Sequence, residues 1–327
     1  MRIALLGATG FVGHSAAADL AGRPEVRELL LVDYDIRAAK KRARALSPKC
    51  RWAMSDVGRE ADLGRLLSGI DAVAGAVGPC QEYERRILLT CAASGTPAAS
   101  IGDAPLPPET FREIDDAFRT RGVAAVSGCG MLPGWTELLG AHFLPGGVAA
   151  GADGSAGTPR RFLFCSLDRF GGYAFFRRIA RERGPAAPVP PGSPPGDYFD
   201  TGRGWLLGVP SGRPATLLRR LAGTGPFGTV GRELSAAALF WLRRFLEGEK
   251  GLPAAAAGLF DPSSGGAPRA AVLDPQGRLA GALLAEAAVR LACMRGAGTG
   301  LLPLPEVVGR AEAERVAASC GATIIAE

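Results

Sequence analysis

The sequence predicts an α/β protein built on a doubly wound parallel sheet, followed by a second region of a different kind. Over residues 1–145, short apolar runs alternate with helix-like segments, an order typical of parallel strands joined by crossover helices. A glycine-rich turn follows the first apolar run. Beyond residue 145 the pattern changes to Gly- and Pro-rich loops, isolated helices and an alternating strand, which indicates a mixed α+β domain.

The chain opens on a strand, a glycine turn and a helix. Residues 3–6 form a short apolar run that suits a buried parallel strand, and Gly7, Gly10 and Gly13 follow it. Glycine leaves out the side chain where backbone approaches a pyrophosphate and where the helix packs on the sheet. The helix N-terminus favours negative charge, because its first amides have no partner within the helix. The turn therefore predicts a phosphate site in a Rossmann-type, dinucleotide-binding domain.

The second strand, at 28–33, ends in a carboxylate. Asp33 lies 20 residues after Gly13 (33 minus 13), the offset at which an acidic side chain accepts hydrogen bonds from the adenosine ribose. A carboxylate there repels the 2′-phosphate of NADP(H), so the sequence favours NAD(H) over NADP(H) as the cofactor. The cationic residues that follow, Arg37, Lys40 and Lys41, are assigned to the solvated face of the next helix.

The other elements of the first part keep the same alternation. We predict helices at 36–46, 57–67, 83–94 and 108–120, strands at 50–54, 71–77 and 123–127, and a further strand that leads to Gly102 and Asp103. In open parallel sheets, ligands bind outside the carboxyl ends of the strands. The turn at 76–80 should therefore face the cofactor.

Elements are more scattered in the later part. We predict strands at 161–167, 270–273 and 322–326, helices at 216–222, 233–246, 279–294 and 309–320, and an extended, proline-rich loop at 185–196. The proline-rich loop should make few hydrogen bonds, because proline has no backbone N–H.

Composition and charge argue against several function classes. The net charge is +6, without a dense run of Lys and Arg interleaved with aromatic residues, so we expect no nucleic-acid partner. The seven cysteines form no Cys-x-x-Cys pair and the chain has two histidines, so we expect no metal site. The chain enters its first strand without a leader, and the apolar stretch 234–246 is short for a membrane span and contains Arg243 and Arg244. These features predict a cytoplasmic protein without stable membrane insertion.

The ordered motifs resemble the saccharopine dehydrogenase-like oxidoreductases, which include saccharopine reductase, lysine dehydrogenase and carboxynorspermidine dehydrogenase. The matching segments are residues 7–13, Asp33 with the basic helix after it, residues 71–79, Gly102-Asp103, Ser127-Gly-Cys-Gly-Met-Leu-Pro-Gly134 before Trp135-Thr-Glu-Leu, and Gly300-Leu-Leu-Pro-Leu-Pro-Glu306. The resemblance covers residues 1–142 and 277–327 well and the middle poorly. It implies a Rossmann domain at 1–142 plus 277–327, and an inserted domain at 143–276 that binds a small-molecule substrate and mediates homodimer formation.

The resemblance also implies an activity and a set of site residues. Members commonly transfer hydride at a C–N bond, reducing an imine or oxidising an amine. The adenine half of the cofactor would be held by Gly7, Thr9, Gly10, Phe11, Val12, Gly13 and Asp33, and the nicotinamide ribose would lie beside Val77, Gly78 and Pro79. Asp103 and the 130–134 loop would border the reaction centre. The turn at 98–102 reads Ala-Ala-Ser-Ile-Gly where members often carry a Tyr and an earlier Asp, so a polar contact to the usual amino-acid substrate is missing.

Candidate substrate-binding residues are identified by their side-chain chemistry and their position in the sequence. Asp103 is expected to donate a proton to the substrate or to anchor its amine. Alternatively, the Asp103 side chain caps its own turn or the 108–120 helix. Arg169 could bind a carboxylate through its bidentate guanidinium. The other predicted substrate-binding residues are Cys129, Gly130, Met131, Trp135 and Tyr173. Cys129 is read as a small hydrophobe rather than a thiol nucleophile.

Three alternative functions compete with this interpretation. A short-chain dehydrogenase or epimerase needs a Tyr-x-x-x-Lys pair, but the positions four residues after the tyrosines hold Ala38, Ile87, Arg177 and Gly202. A semialdehyde dehydrogenase needs a cysteine nucleophile and a histidine base, and no histidine occurs after His142. The third alternative is a nucleotide-sensing protein that has the same fold but no enzymatic turnover. The sequence leaves this alternative open.

Overall fold

The structure is a computed structural model of the chain. It describes residues 1–102, 106–147, 159–166, 168–182, 185–190, 193–201, 205–212, 216, 228–242, 251–261, 269–294, 296 and 298–326, with backbone alone at 60, 61, 181, 182, 228–232 and 235. The chain forms two compact units, residues 1–134 with 278–316 and residues 135–277 with 317–327.

Strands and helices alternate along the first 126 residues, as predicted. In order they are β1 (Arg2–Leu6), α1 (Phe11–Gly22), β2 (Glu28–Asp33), α2 (Ile36–Leu46), β3 (Cys50–Met54), α3 (Glu60–Leu66), β4 (Ala72–Gly75), α4 (Cys80–Ala93), β5 (Ala98–Ser100), α5 (Pro108–Thr120) and β6 (Ala124–Val126).

The later elements are divided between the two units. In order they are α6 (Trp135–Leu138), which a π-helical turn (Leu139–Phe143) continues, β7 (Arg160–Cys165), α7 (Tyr173–Glu182), β8 (Ala186–Ala187), β9 (Asp197–Asp200), β10 (Trp205–Val209), α8 (Gly228–Leu242), β11 (Ala255–Phe260), β12 (Ala270–Asp274), α9 (Leu279–Cys293), β13 (Gly300–Leu301), α10 (Leu304–Val307), α11 (Arg310–Ser319) and β14 (Thr323–Ala326).

The first unit contains a parallel sheet with the order β3-β2-β1-β4-β5-β6-β13 within the described residues. Leu6 at the end of β1 pairs with Val32 on one side and with Gly75 on the other. The chain leaves β1 toward β2 and later returns to place β4 on the opposite side, so the switch point lies between β1 and β4. This order is that of the Rossmann fold, and the prediction of a doubly wound parallel sheet is confirmed.

Apolar residues from the sheet and its helices form the core of this unit. On one face, Val73, Leu88, Ile114 and Phe118 are fully buried in one cluster with the apolar side chains of α3, α4 and α5. On the other face α9 crosses α1 closely, since a Cβ on Gly281 would lie 2.7 Å from the carbonyl oxygen of Val12. Helices on both faces explain why these strands read as continuous apolar runs in the sequence.

The second unit is built on a mixed sheet with the order β14-β12-β11-β7-β10-β9-β8 among the described strands. β7 and β10 are parallel, whereas the other pairs are antiparallel. Phe162 and Phe164 of β7 pack against the ring of Tyr198 from β9, with ring centroids 6.4 Å apart in each pair. The prediction of a mixed α+β second domain is therefore confirmed.

The structure corrects two details of the second half. The first domain is predicted to extend to residue 327, but β14 pairs with β12 in the mixed sheet, where Ala271 faces Ile325. Most β14 side chains are exposed, and an antiparallel edge strand tolerates a wet face that a strand of the buried parallel sheet does not. The predicted loop at 185–196 contains β8, which pairs Ala186 with Phe199. The predicted helix at 216–222 lies outside the described residues after position 216.

None of the helices in the described part of the chain combines the length and the apolar character needed to cross a bilayer.

Candidate functional site

The glycine turn after β1 lies at the switch point of the parallel sheet. Gly7 has a φ of +73°, in the left-handed region that favours glycine, and a Cβ there would lie 2.7 Å from the carbonyl oxygen of Ala76. A Cβ on Gly13 would collide with the carbonyl oxygen of Gly7. Gly10 caps α1 without a side-chain hydrogen bond to its first turn. The backbone thus forms a bare cradle at a helix N-terminus, the geometry that receives phosphate.

Asp33 at the end of β2 is tied to this turn. Its Oδ2 accepts hydrogen bonds from the backbone N–H of Thr9 at 3.0 Å and from the hydroxyl of Thr9 at 2.8 Å. Its Oδ1 accepts one from the backbone N–H of Asp35 at 3.2 Å. The residue is only 6% exposed. These three hydrogen bonds leave acceptor capacity on the carboxylate, because its two oxygens offer about four lone-pair sites.

A buried hydroxyl lies at the end of the neighbouring strand. Ser55 follows β3, its backbone N–H donates to the carbonyl oxygen of Asp33 at 3.3 Å, and its Oγ is buried without a hydrogen-bond partner among the described residues. A buried hydroxyl with no partner costs about 1–3 kcal/mol, so a polar ligand atom would stabilise it. The sequence offered no signal for Ser55 beyond its place after β3.

These features fit an adenine dinucleotide. A bare helix N-terminus suits the pyrophosphate, a buried carboxylate suits the ribose hydroxyls, and an unsatisfied hydroxyl is present at the same carboxyl edge of the sheet. Val77, Gly78 and Pro79 form the turn between β4 and α4, at the same edge. The backbone N–H of Ala76 donates to the carbonyl oxygen of Leu6 at 2.9 Å, so this turn and the glycine turn leave adjacent strands together.

A buried carboxylate lies near the ends of β5 and β6. Glu84 of α4 is 4% exposed, and its Oε1 accepts a hydrogen bond from the Ser127 hydroxyl at 2.7 Å. A Cβ on Gly102, whose φ is +38°, would lie 2.6 Å from that hydroxyl and 3.1 Å from Glu84 Oε1. The turn before Asp103 therefore packs directly on this acid–hydroxyl pair. Asp103 itself lies outside the described residues.

Sequence reasoning missed Glu84. The available signal is its spacing, because Cys80, Glu84, Leu88 and Cys91 recur on the buried face of α4, and Glu84 is the charged member of that face. A charged residue in an apolar helical stripe is unusual, since an ionised carboxylate is costly to bury without partners.

Cys129 lies in the loop after β6 and is fully buried. Its backbone N–H donates to the carbonyl oxygen of Ser100 at 2.9 Å. Burial raises the pKa of the Cys129 thiol well above its usual range, and the charge of Glu84 raises it further. The thiol is therefore neutral at physiological pH, which argues against a cysteine nucleophile and with it against the semialdehyde dehydrogenase alternative.

The other residues predicted around this loop are also buried. Gly130 donates from its backbone N–H to the carbonyl oxygen of Pro133 at 3.1 Å, which closes the loop, and Met131 is 4% exposed. Trp135 begins α6 and is fully buried, and its indole Nε1 has no hydrogen-bond partner among the described residues.

Arg169 and Tyr173 lie in the second unit. The Arg169 guanidinium donates to the carbonyl oxygen of Leu252 at 2.8 Å and lies 3.5 Å from the carboxylate of Asp168. Tyr173 begins α7, is 41% exposed, and its hydroxyl lies 3.5 Å from the Glu233 carboxylate. Both side chains thus have contacts within their own unit.

Among the described residues, no three His, Cys, Asp or Glu side chains come together as a metal site.

Comparison with known proteins shows the fold. No family model matches the chain. The triphenylmethane reductase of a Citrobacter species, in complex with NADP(H), is 16% identical over 38% of this chain and 48% of its own, with a TM-score of 0.31. A nucleoside-diphosphate-sugar epimerase from Pseudomonas aeruginosa is 21% identical over 39% of this chain and 51% of its own, with a TM-score of 0.29. Both TM-scores are too low to support a conclusion about this chain.

The similarity to a third structure extends over the whole chain. Saccharopine dehydrogenase (L-Glu forming) from Saccharomyces cerevisiae, in its apo form, matches with a TM-score of 0.59 at 12% identity, and the alignment covers 99% of this chain and all of that one. The chain therefore has the fold of saccharopine dehydrogenase, the fold that its sequence motifs predict.

Proposed function

We propose that the protein is an NAD(H)-dependent oxidoreductase that transfers hydride at a C–N bond of a small amine or amino-acid-derived substrate, by imine reduction or amine oxidation. The observation that carries this proposal is the buried Asp33 carboxylate, joined to the glycine turn through Thr9. The overall fold supports it, because the matching enzyme from yeast is a saccharopine dehydrogenase.

Each part of the carboxyl edge has a role in cofactor binding. The N-terminus of α1, with Gly7, Gly10, Phe11, Val12 and Gly13, would bind the pyrophosphate. Asp33 would accept hydrogen bonds from the adenosine ribose, and Val77, Gly78 and Pro79 would lie beside the nicotinamide ribose. The cofactor, when bound, supplies hydride donor and acceptor chemistry.

The preference for NAD(H) over NADP(H) rests on charge. A 2′-phosphate beside Asp33 would place two anionic groups together at a site where the carboxylate is 6% exposed, and burial strengthens their repulsion. Among the described residues no cation pairs with this carboxylate, and its hydrogen bonds come from Thr9 and Asp35.

The reaction centre is proposed at the ends of β5 and β6. Asp103 would anchor or protonate the substrate nitrogen, and the residues after β6 and in the second unit would contact the substrate. Those residues are Cys129, Gly130, Met131, Trp135, Arg169 and Tyr173. Their proposed task is placement of the reacting carbon, which accounts for much of the rate in hydride transfer.

The proposal also covers the roles of the two units, the location of the protein in the cell and its oligomeric state. The unit made of residues 1–134 with 278–316 would bind the dinucleotide, and the unit made of residues 135–277 with 317–327 would contribute to substrate binding, in a cytoplasmic homodimer. Sedimentation of the purified protein gives the oligomeric state directly.

A titration tests the cofactor and a panel of substrates tests the activity. We expect NADH to quench the intrinsic protein fluorescence and to bind at least tenfold more tightly than NADPH, and Asp33→Asn to narrow this difference because the repelling charge is gone. NADH oxidation is then followed with pairs of amines and carbonyl compounds, for the wild type and for Asp103→Asn. A preference for NADPH would contradict the role of Asp33, and full turnover by Asp103→Asn would remove that residue from the mechanism.

A nucleotide sensor without turnover is the second candidate. The turn at 98–102 favours it, because this turn lacks the Tyr and the earlier Asp that the resemblance implies as polar substrate contacts, and Ala98 and Ala99 there are buried. Tight NADH binding without oxidation across the whole panel would support the sensor.

A further inference from the structure

The positive charge of the chain is concentrated around α2. Residues 34–51, all of which the structure describes, contain seven cationic residues and one acidic residue, Asp35. The whole chain has 38 cationic and 32 acidic residues, so the rest of it carries 31 of each and is neutral overall. The net charge of +6 therefore comes from one helix and the residues that flank it.

Four of these cations share the exposed side of α2. They recur at intervals of three and four residues, and they are Arg37, Lys40, Lys41 and Arg44. These four residues are called here the α2 stripe. Ala39 and Ala43, on the opposite side of the helix, are buried. Side chains three or four residues apart on a helix are neighbours, and like charges at that spacing destabilise it. The α2 stripe therefore needs an explanation other than the stability of the helix.

The contacts of these cations leave their charge in place. Lys40 and Arg44 lie 5.6 Å and 5.7 Å from the centre of the Trp52 ring. The other three cations donate to carbonyl oxygens, which are those of His14 for Arg42, Arg23 for Lys49 and Pro48 for Arg51. Among the residues that the structure describes, no carboxylate forms an ion pair with any of the seven. Rings and carbonyl groups carry no net charge, so the positive potential around α2 is not neutralised.

α2 lies beside the proposed cofactor site. It begins three residues after Asp33. The Arg42 guanidinium donates at 2.8 Å to the carbonyl oxygen of His14, in the first turn of α1. Burial and the charge of Arg42 both lower the pKa of His14, so the positive potential of α2 extends to that turn. The same turn is proposed to bind the pyrophosphate.

An anionic ligand is attracted by such an arrangement before it makes any contact. Charge of one sign beside a binding site raises the local concentration of an oppositely charged ligand and its rate of association. The dinucleotide is such a ligand, because its pyrophosphate is negatively charged. The exposed side chains of the α2 stripe point to solvent, so their effect is expected on the encounter with the cofactor.

We propose that the α2 stripe steers the anionic dinucleotide to the glycine turn and raises its rate of association, without contacting the bound cofactor. This inference rests on the proposed function, since it concerns the same cofactor. It also divides the work between two groups: the α2 stripe accelerates the arrival of NADH and NADPH alike, whereas Asp33 discriminates between them through the rate of dissociation.

Stopped-flow fluorescence of NADH binding to the full-length protein tests the proposal. We expect the association rate constant of the wild type to be at least about tenfold higher in about 20 mM than in about 500 mM sodium chloride, because salt shortens the range of charge interactions. The dissociation rate constant should change by less than about twofold. NADPH carries a further phosphate, so its association should depend on salt more steeply than that of NADH.

A charge reversal within the stripe isolates its effect. Lys41→Glu should slow NADH association about threefold at low salt and leave it unchanged at high salt, with the dissociation rate constant unaffected. The new carboxylate would lie near Arg37 and Arg44, so the melting temperature should be unchanged or higher, which excludes unfolding as the cause. Lys41→Arg keeps the charge and should keep the wild-type rate.

Arg121→Glu is the matched control. Arg121 is exposed and follows α5 in the turn that leads into β6, so it lies at the amino edge of the sheet, opposite the glycine turn. The substitution makes the same change of charge as Lys41→Glu, and it should alter the association rate constant by less than about 1.5-fold.

Three results would overturn the inference. The first is that Lys41→Glu slows association no more than Arg121→Glu does. The second is that Lys41→Glu acts on dissociation alone, which would make Lys41 a contact of the bound cofactor. The third is that a single-stranded oligonucleotide binds the wild type but not Lys41→Glu while the NADH rates of the two are equal, which would identify nucleic acid as the anion. NADH still binds in all three cases, so the proposed function survives them, whereas a protein that binds no NADH contradicts both.

Discussion

Thr9 donates two hydrogen bonds to a single oxygen of Asp33, one from its backbone N–H at 3.0 Å and one from its hydroxyl at 2.8 Å. The pair joins the glycine turn after β1 to the end of β2, 24 residues apart in sequence. The same residue that is proposed to recognise the ribose thus also holds the glycine turn in place. The proposed cofactor recognition and the local stability of the turn therefore both depend on Asp33.

Thr9→Val removes the hydroxyl and keeps the shape of the side chain. We expect the free energy of unfolding to fall by about 1.5–3 kcal/mol, the usual value of a hydrogen bond to a charged group, and NADH binding to weaken. Urea denaturation and fluorescence titration measure the two effects. Thr9→Ser keeps the hydroxyl and serves as the control. Unchanged stability and unchanged affinity in Thr9→Val would show that the hydroxyl bond contributes to neither.

Two glycines of α1 provide a matched pair. Gly13→Ala would drive a methyl group into the carbonyl oxygen of Gly7, so we expect a loss of about 1–3 kcal/mol or more in the free energy of unfolding, together with weaker NADH binding. Gly22 lies at the other end of the helix with nothing within 4 Å of a Cβ, and Gly22→Ala should stabilise the protein by up to about 1 kcal/mol. Similar effects of the two substitutions on urea denaturation would contradict the close approach at Gly13.

Glu286 of α9 is surrounded by arginines. Its side chain is 5% exposed, and its carboxylate lies 2.6 Å from Arg23, 2.9 Å from Arg290 and 3.5 Å from Arg315. Burial opposes its ionisation, but the hydrogen bonds and charges of Arg23 and Arg290 outweigh burial, so the pKa of Glu286 lies below its ordinary value of 4.5. Such a carboxylate stabilises the fold above its unfolded-state pKa, and this contribution is lost as the pH falls through the lower, folded-state pKa.

Glu286→Gln tests this network. At neutral pH we expect the free energy of unfolding to fall by about 2–3 kcal/mol, because an amide keeps one acceptor but loses the charge that the arginines compensate. The deficit should shrink as the pH is lowered below 4.5. Urea denaturation across the acid range measures both. Glu314→Gln is the control. The Glu314 side chain forms an ion pair with Arg310 and is 50% exposed, so this substitution should change the free energy of unfolding by less than about 1 kcal/mol. A deficit independent of pH would contradict the lowered pKa of Glu286.

The pKa of Asp19, in the same network, is shifted in the opposite direction to that of Glu286. Burial raises the pKa of Asp19, the charge of Arg23 lowers it, and the charge of Glu286 raises it further, with a net rise. Its contribution to stability is therefore lost as the pH rises through its folded-state pKa. Because Glu286→Gln also removes the charge that raises the pKa of Asp19, Asp19→Asn measured over the same pH range is needed to separate the two carboxylates.

The cysteines differ sharply in accessibility. Cys293 is exposed, whereas the other six, Cys129 among them, are buried. Since burial raises the pKa of the Cys129 thiol, we expect a disulfide reagent at mildly alkaline pH to label Cys293 at once and Cys129 at least about a hundredfold more slowly. Cys293→Ser should abolish the fast fraction, and mass spectrometry locates the label. Rapid labelling of Cys129 in the folded protein would reopen the thiol-nucleophile mechanism.

The sequence predicts those features that short segments specify by themselves. The apolar run at residues 3–6, the glycines after it and the carboxylate at Asp33 are close in sequence, and their spacing already indicates the first strand–helix–strand unit. Gly7 shows why: its positive φ and the nearby carbonyl oxygen of Ala76 exclude a side chain, so the residue type itself reports the local geometry.

Other features depend on contacts between distant residues. Glu84 and Ser127 are 43 residues apart and form their hydrogen bond because the ends of α4 and β6 meet at one edge of the sheet. Arg23 and Glu286 are 263 residues apart. The spacing of Glu84 marks it as buried, but no local pattern predicts either pairing, because a surface arginine or serine looks the same in sequence until packing brings a buried carboxylate against it.

The sequence by itself determined the parallel, doubly wound sheet and the position of the glycine turn and Asp33, since strand burial, helix periodicity and the steric demands of a phosphate-binding turn act within a few residues. Only the tertiary structure decided that β14 joins the mixed sheet, that Glu84 lies beneath the turn before Asp103, that the Ser55 hydroxyl is buried without a partner, and that Trp241 faces solvent. These outcomes depend on which surfaces meet when the chain packs, and burial and long-range pairing are properties of the folded whole rather than of any segment.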